Sequence, residues 1–194
     1  AGWHAAKIIN DEIGGKVVAI GEIDGGVFNP KGLDVHKLHD YFMKKKGVKG
    51  YKGAEFLPKS KDVLELKCDV LVPAAMENQI TKANAGKLKA KMVLELANGP
   101  TTPEADLILR DKGVMVLPDF LANAGGVTVS YFEMVQNTYG YYWEEDVVHE
   151  RLDRKMTAAF HAVHDMSKKH QVHNRVGAYL VAVNRVAEAV RLRG

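Results

Sequence analysis

Two asparagines stand where a polar side chain could grip a ligand. Asn98 lies in Ala97-Asn98-Gly99-Pro100-Thr101-Thr102-Pro103-Glu104-Ala105, directly after an apolar run. A carboxamide both donates and accepts, so it suits a ribose hydroxyl or another amide. A turn and a helix cap explain Gly99, Pro100 and Thr102 but leave Asn98 without a role. Asn123 lies in Pro118-Asp119-Phe120-Leu121-Ala122-Asn123-Ala124-Gly125-Gly126-Val127-Thr128-Val129-Ser130-Tyr131, where it could bond a carboxamide. Gly125 and Gly126 permit close approach of backbone to a ligand. Ser130, about one helical turn further on, could hydrogen-bond an anion held near a helix start.

A glycine and a carboxylate form a second pattern. Gly2 opens a helical stretch, and Glu22 follows 20 positions later at the end of an apolar run. That is about the spacing between the last glycine of a dinucleotide-binding turn and the acidic residue at the adenosine ribose. A carboxylate there accepts from both ribose hydroxyls and repels a 2′-phosphate, which favours NAD over NADP as the cofactor. The plainer alternative is a helix-start glycine and a solvent-facing glutamate. Histidines pair at spacings of three (His36 and His39, His161 and His164, His170 and His173). No cysteine or carboxylate completes a ligand set around them, so no metal is expected. The single cysteine, Cys68, heads an apolar run. It is expected to be a buried structural thiol in a reducing compartment.

These residues need elements to carry them. Helical periodicity covers Trp3 to about Ile13, ended by Gly14-Gly15. Lys16–Gly21, Asp69–Pro73, Lys91–Leu96 and Gly113–Pro118 read as strands, apolar without strict alternation, as in parallel strands buried on both faces. Asp24-Gly25-Gly26 and Asn29-Pro30-Lys31-Gly32 read as turns. Asp34 is the expected N-cap of a helix through Leu38, Tyr41 and Phe42, with a Gly- and Lys-rich loop at Gly47–Gly53 after it. Thr81–Ala90 reads as a helical turn. Pro103–Asp111 reads as a helix with Thr102 as cap and Pro103 at its first position. Helical patterns then cover 123–140, 144–170 and Asn174–Arg193. In the second of these, Val148, Leu152, Met156, Ala159, Val163 and Met166 recur at spacings of three and four. The expected fold class is α/β: a Rossmann-like, mostly parallel sheet flanked by helices, followed by C-terminal helices.

Composition narrows the function. The chain has 194 residues, 46% of them hydrophobic, and a net charge of +3. One well-buried domain fits that length, and disorder does not fit that composition. The charge is too small and too dispersed for a nucleic-acid partner. Lys44-Lys45-Lys46 with Lys49 and Lys52 reads as a solvated face. No apolar run reaches the roughly 20 residues of a membrane span, so no membrane partner is expected.

Taken together, several segments resemble the glutamate dehydrogenases of the Glu/Leu/Phe/Val dehydrogenase family. They are Gly15-Lys16-Val17-Val18-Ala19, Asp69-Val70-Leu71-Val72-Pro73-Ala74-Ala75, Ala97 to Ala105, Pro118 to Glu133, Asn184-Arg185-Val186 and Arg191-Leu192-Arg193-Gly194. Leucine and phenylalanine dehydrogenases share the layout but are not expected to carry the runs around Asn98 and Asn123. The resemblance implies oxidative deamination of L-glutamate to 2-oxoglutarate and ammonia, with hydride transfer to NAD (NADP is possible), by a two-domain subunit of a homo-hexamer. It implies that residues 1–140 are the NAD-binding domain, lacking its first strand and leading glycines. Residues 141–194 are then C-terminal helices that pack toward a substrate domain outside this sequence.

The same resemblance implies roles for single residues. Gly2 matches the last glycine of the phosphate turn and Glu22 the acidic ribose position. Ala74 and Ala75 match a backbone wall beside the cofactor. Asn98 matches a contact near the nicotinamide ribose and Asn123 one near its carboxamide. Val127 and Ser130 match substrate-touching positions, Ser130 at the side-chain carboxylate. The family's catalytic lysines and aspartate belong to the other domain, so no catalytic residue is expected here. Glu95-Leu96-Ala97-Asn98 departs from the family's usual Glu-Gly-Ala-Asn, and a leucine there adds bulk where close approach of the backbone to the ligand or a special dihedral is expected. The alternative function is a nucleotide-binding or assembly module that is inactive by itself. A cytoplasmic setting is expected, with the mitochondrial matrix as the alternative.

Overall fold

The computed structural model describes all 194 residues. Seven helices and six strands are arranged as two small sheets with helices around them. Helix α1 (Gly2–Asp11) leads into strand β1 (Ala19–Glu22), β2 (Gly25–Phe28), α2 (Val35–Lys45) and β3 (Glu55–Leu57). Strands β4 (Val70–Leu71), β5 (Met92–Leu94) and β6 (Met115–Leu117) follow, with α3 (Pro103–Asp111) between the last two. The chain ends in α4 (Asp119–Ala122), α5 (Ala124–Tyr139), α6 (Glu145–His170) and α7 (Asn174–Arg193).

Strands β4, β5 and β6 form a parallel sheet in that order, with Val70 opposite Met92 and Met92 opposite Met115. It is the small parallel sheet flanked by helices that the sequence leads one to expect. Its core gathers Leu71, Ile80, Leu88, Val93, Ala105, Leu109 and Val116. Thr102 caps α3 by accepting from the Ala105 N–H, and Pro103 stands at the start of the helix. Both satisfy or avoid orphan donors of a first turn. Cys68 packs half-buried against this core, and burial pushes its thiol pKa up.

The first expected strand needs correction. It begins at Ala19 rather than Lys16, is only partly buried, and does not join the parallel sheet. It pairs antiparallel with β2, Ala19 opposite Phe28 and Glu22 opposite Gly25, and β2 pairs antiparallel with β3. Gly25 and Gly26, read as part of a turn, are therefore strand residues. The physical reason lies in their neighbours. A Cβ on Gly25 would stand 2.6 Å from the Phe56 ring, and one on Gly26 would stand 2.5 Å from Val63 Cγ2. Glycine here serves close packing inside a strand. Strand β3 and the 3₁₀ turn Ser60–Glu65 carried no readable period. The turn bridges the two halves: Val63 presses on Gly26, while Leu64 packs on the parallel-sheet core.

Asp34 caps α2 by accepting from the Lys37 N–H, as its position predicts. The three C-terminal helices fall where the periodicity places them. They pack on one another and on α4 through Leu121, Val163 and Ala178, with Phe160 and Val181 beside them, and Asn174 of α7 donates to the Val116 carbonyl of β6. No helix is long and apolar enough to cross a membrane.

Candidate functional site

The two asparagines, 25 residues apart in sequence, meet. Asn123 donates from Nδ2 to Asn98 Oδ1 at 2.7 Å, and the same amide lies 3.4 Å from the Leu96 carbonyl. Asn98 follows β5 and Asn123 follows β6 across the short helix α4. Both therefore sit beyond the carboxyl ends of parallel strands, where ligands of such sheets bind. They line an open cleft of about 580 Å³ together with Ala1, Leu96, Ala122, Gly125, Gly126 and Val127. That volume lies within the ~300–1,000 Å³ usual for cofactor sites.

Two helix starts face this cleft. Ala1 precedes α1 and Asn123 precedes α5, and α5 has no side-chain cap. That uncapped start of α5 leaves backbone N–H groups and a positive dipole end for an anion. Gly125 and Gly126 line the cleft without side chains, and a Cβ on Gly126 would meet nothing within 4 Å. The donor set of two carboxamides, the bare start of α5 and glycine backbone fits the amide, ribose and phosphates of a dinucleotide. None of the side chains lining the cleft is ionisable.

The other expected residues fall around this centre. Gly2 abuts the end of β4: a Cβ on it would lie 3.5 Å from Ala74 Cβ, an ordinary contact. Ala75 is exposed on the same loop. That loop is tied to the Asn98 loop by the Asn78 N–H, which donates to the Gly99 carbonyl at 2.9 Å. Val127 lines the cleft and is 70% exposed, so its side chain is open to a ligand. Ser130 is exposed on α5, one turn on, and its Oγ donates to the Gly126 carbonyl at 3.1 Å. Glu22 stands apart, at the end of β1 in the antiparallel sheet and outside the cleft lining. Partial burial, and then the neighbouring Asp24, raise its carboxyl pKa above the ordinary value. Leu96 causes no backbone strain. It has no positive φ, its N–H donates to the Pro73 carbonyl at 3.0 Å, and its own carbonyl faces Asn123. The special dihedral expected at this position is absent.

The histidine pairs serve separate contacts. His36 bonds Asp11 at 2.9 Å, His39 stacks on Trp3, and His164 stacks on Phe160.

One cluster beneath the cleft escaped sequence reading. Arg175, in the first turn of α7, reaches three carboxylates. Its Nη2 donates to Glu95 Oε1 at 2.7 Å, its Nε lies 3.1 Å from Asp106 Oδ2, and its Nη1 lies 3.5 Å from Asp119 Oδ1. Glu95 is fully buried, and its second oxygen accepts from the Asp119 N–H at 2.9 Å. Asp119 Oδ2 in turn accepts from the Gly99 N–H at 2.7 Å. Burial works against the guanidinium charge, but the bonds to Glu95 and Asp106 outweigh it and raise the Arg175 pKa. A signal existed: Glu95 is a lone charge at the end of an apolar strand, and buried carboxylates require a partner. The identity of that partner, 80 residues away, had no local trace.

The whole chain, residues 1–194, matches the family model of the glutamate/leucine/phenylalanine/valine dehydrogenases. Among solved structures it is similar to the hetero-hexameric glutamate dehydrogenase from Thermus thermophilus in its Leu-bound form. The identity is 32% and the TM-score 0.90, over 100% of this chain and 45% of that one. It is also similar to glutamate dehydrogenase from Peptoniphilus asaccharolyticus, at 37% identity and TM-score 0.83, over 100% of this chain and 44% of that one. A third match is Plasmodium falciparum glutamate dehydrogenase, at 25% identity and TM-score 0.83, over 99% and 44%. The chain thus spans a little under half the length of these relatives. With its parallel sheet, its paired asparagines and a match over every residue, the chain belongs to the glutamate/leucine/phenylalanine/valine dehydrogenase family.

Proposed function

We propose that this chain is the cofactor-binding part of a glutamate dehydrogenase. The enzyme oxidatively deaminates L-glutamate to 2-oxoglutarate and ammonia, and the bound dinucleotide supplies the hydride acceptor. The observation that carries this reading is the cleft in which Asn98 and Asn123 meet beside the uncapped start of α5. Asn98 Nδ2 and Asn123 Oδ1 remain without protein partners, one donor and one acceptor for the nicotinamide end. Their mutual bond fixes both amides before the cofactor arrives, which lowers the ordering cost of binding. Gly2 at the start of α1 receives the pyrophosphate, with Ala74 beside it and Ala75 next along that loop as the backbone wall. Glu22 accepts from the adenosine ribose hydroxyls and so favours NAD over NADP. Val127 and Ser130 extend along α5 from the cleft toward the substrate, and Ser130 Oγ turns its single O–H from the Gly126 carbonyl to the substrate carboxylate on binding. The Thermus relative is a hetero-hexamer, which supports assembly of the intact protein as a hexamer, here from identical subunits.

Steady-state rates of the full-length enzyme with glutamate and each cofactor test this reading. Turnover with a preference for NAD is expected. No turnover with either cofactor would overturn the activity, and a strong preference for NADP would overturn the role of Glu22. A second reading, a nucleotide-binding or assembly module that is inactive by itself, draws on the absence of any ionisable side chain lining the cleft. Turnover by the 194-residue chain alone would remove that reading.

A further inference from the structure

We infer that Arg175 is a positioning residue for the nicotinamide end of the cleft, acting through Asp119 on the loop that carries Asn98. The inference rests on the proposed cofactor reading of Asn98 and Asn123. Its physical basis is a continuous chain of ion pairs and hydrogen bonds. Arg175 joins the start of α7 to Glu95 at 2.7 Å and to Asp119 at 3.5 Å. Asp119 is held from its other side by Glu95, which accepts its N–H. Thus fixed, Asp119 presents Oδ2 to the Gly99 N–H at 2.7 Å. Gly99 has φ of +54°, a conformation other residues rarely adopt, and it directly follows Asn98. The Asp119 bond therefore determines where the loop turns and where the Asn98 amide points.

Arginine suits the task. Its planar fork can serve several carboxylate oxygens at once, and a lysine cannot reproduce that geometry. The same helix turn is anchored twice more: Asn174 Nδ2 donates to the Val116 carbonyl at 3.1 Å, and His173 Nδ1 lies 3.6 Å from Asp106. The start of α7 is thereby registered against β6 and α3, so Arg175 has a defined place from which to hold Asp119.

The test compares Asp119→Ala, Asp119→Asn and Arg175→Lys with the unaltered chain. Calorimetric titration uses NAD and, separately, ADP, which carries only the adenosine half. Asp119→Ala leaves Arg175 paired with Glu95 and Asp106, so the buried charges stay compensated. Its NAD affinity is expected to fall about tenfold, the scale of one lost charge-assisted hydrogen bond, with ADP affinity unchanged. Asp119→Asn keeps an oxygen acceptor and is expected to recover most of the loss. Arg175→Lys is expected to show the same split between NAD and ADP. The Gly99 amide proton resonance supplies a readout that needs no ligand: it should move upfield in Asp119→Ala and in Arg175→Lys. An unmoved Gly99 resonance in Arg175→Lys, or equal losses for NAD and ADP, would overturn the inference. If the unaltered chain binds no NAD, the cofactor reading of the cleft fails, and the Gly99 resonance alone decides whether Arg175 positions the loop.

Discussion

Asn123 donates its side-chain amide to Asn98 at 2.7 Å, joining the loop after one parallel strand to the loop after the next. Removing that bond should loosen the cleft more than the fold, because Asn98 is exposed. Asn123→Ala is expected to cost about 1 kcal/mol of stability or less. Its NAD affinity should fall by about tenfold, since both the fixed amide and its free acceptor are lost. Calorimetric titration with NAD and a urea unfolding curve check the two halves. An unchanged affinity would remove Asn123 from the binding site.

Arg175→Ala should be the most destabilising single change near the site. It leaves Glu95, fully buried, with a carboxylate oxygen that has lost its cation. Breaking a buried pair by removing one partner costs about 3–5 kcal/mol. Chemical denaturation at neutral pH measures this, and a loss below about 1 kcal/mol would show that water replaces the guanidinium.

Glu22 should make stability depend on pH in a defined direction. Burial raises its carboxyl pKa above the ordinary 4.5. Its contribution is therefore fully present below about 4.5, where the group is protonated in both states, and is lost as pH rises through the raised folded-state value. Glu22→Gln should raise the thermal midpoint at pH 7 and leave it nearly unchanged at pH 4. The same change removes the repulsion of a 2′-phosphate, so the ratio of NADP to NAD affinity should increase. A midpoint shift of the same size at both pH values would contradict the titration argument.

Ser130 bonds the Gly126 carbonyl within its own helix, so its hydroxyl is held on the side of α5 that carries Val127 toward the cleft. Ser130→Ala in the full-length enzyme should raise KM for glutamate with little change in folding, because an exposed intrahelical hydroxyl contributes little to stability. Steady-state kinetics at saturating NAD check it; an unchanged KM would count against substrate contact.

Much of this protein could be read from local pattern. The caps Asp34 and Thr102, the helix that begins at Pro103 and the three C-terminal helices follow from periodicity and capping, which act over a few residues. The parallel strands were legible as short apolar runs. The two asparagine motifs were legible because strand ends followed by glycine turns are where such sheets bind ligands. Tertiary structure alone decided three other matters. Strand β1 went to a separate antiparallel sheet because Gly25 and Gly26 let Phe56 and Val63 approach closely, a fit that no local period encodes. Asn98 and Asn123 meet because adjacent strands bring their loops together. Glu95 found its cation in Arg175 because burying a carboxylate demands a partner. Only the packing of α7 against β6 determines which distant side chain can reach it.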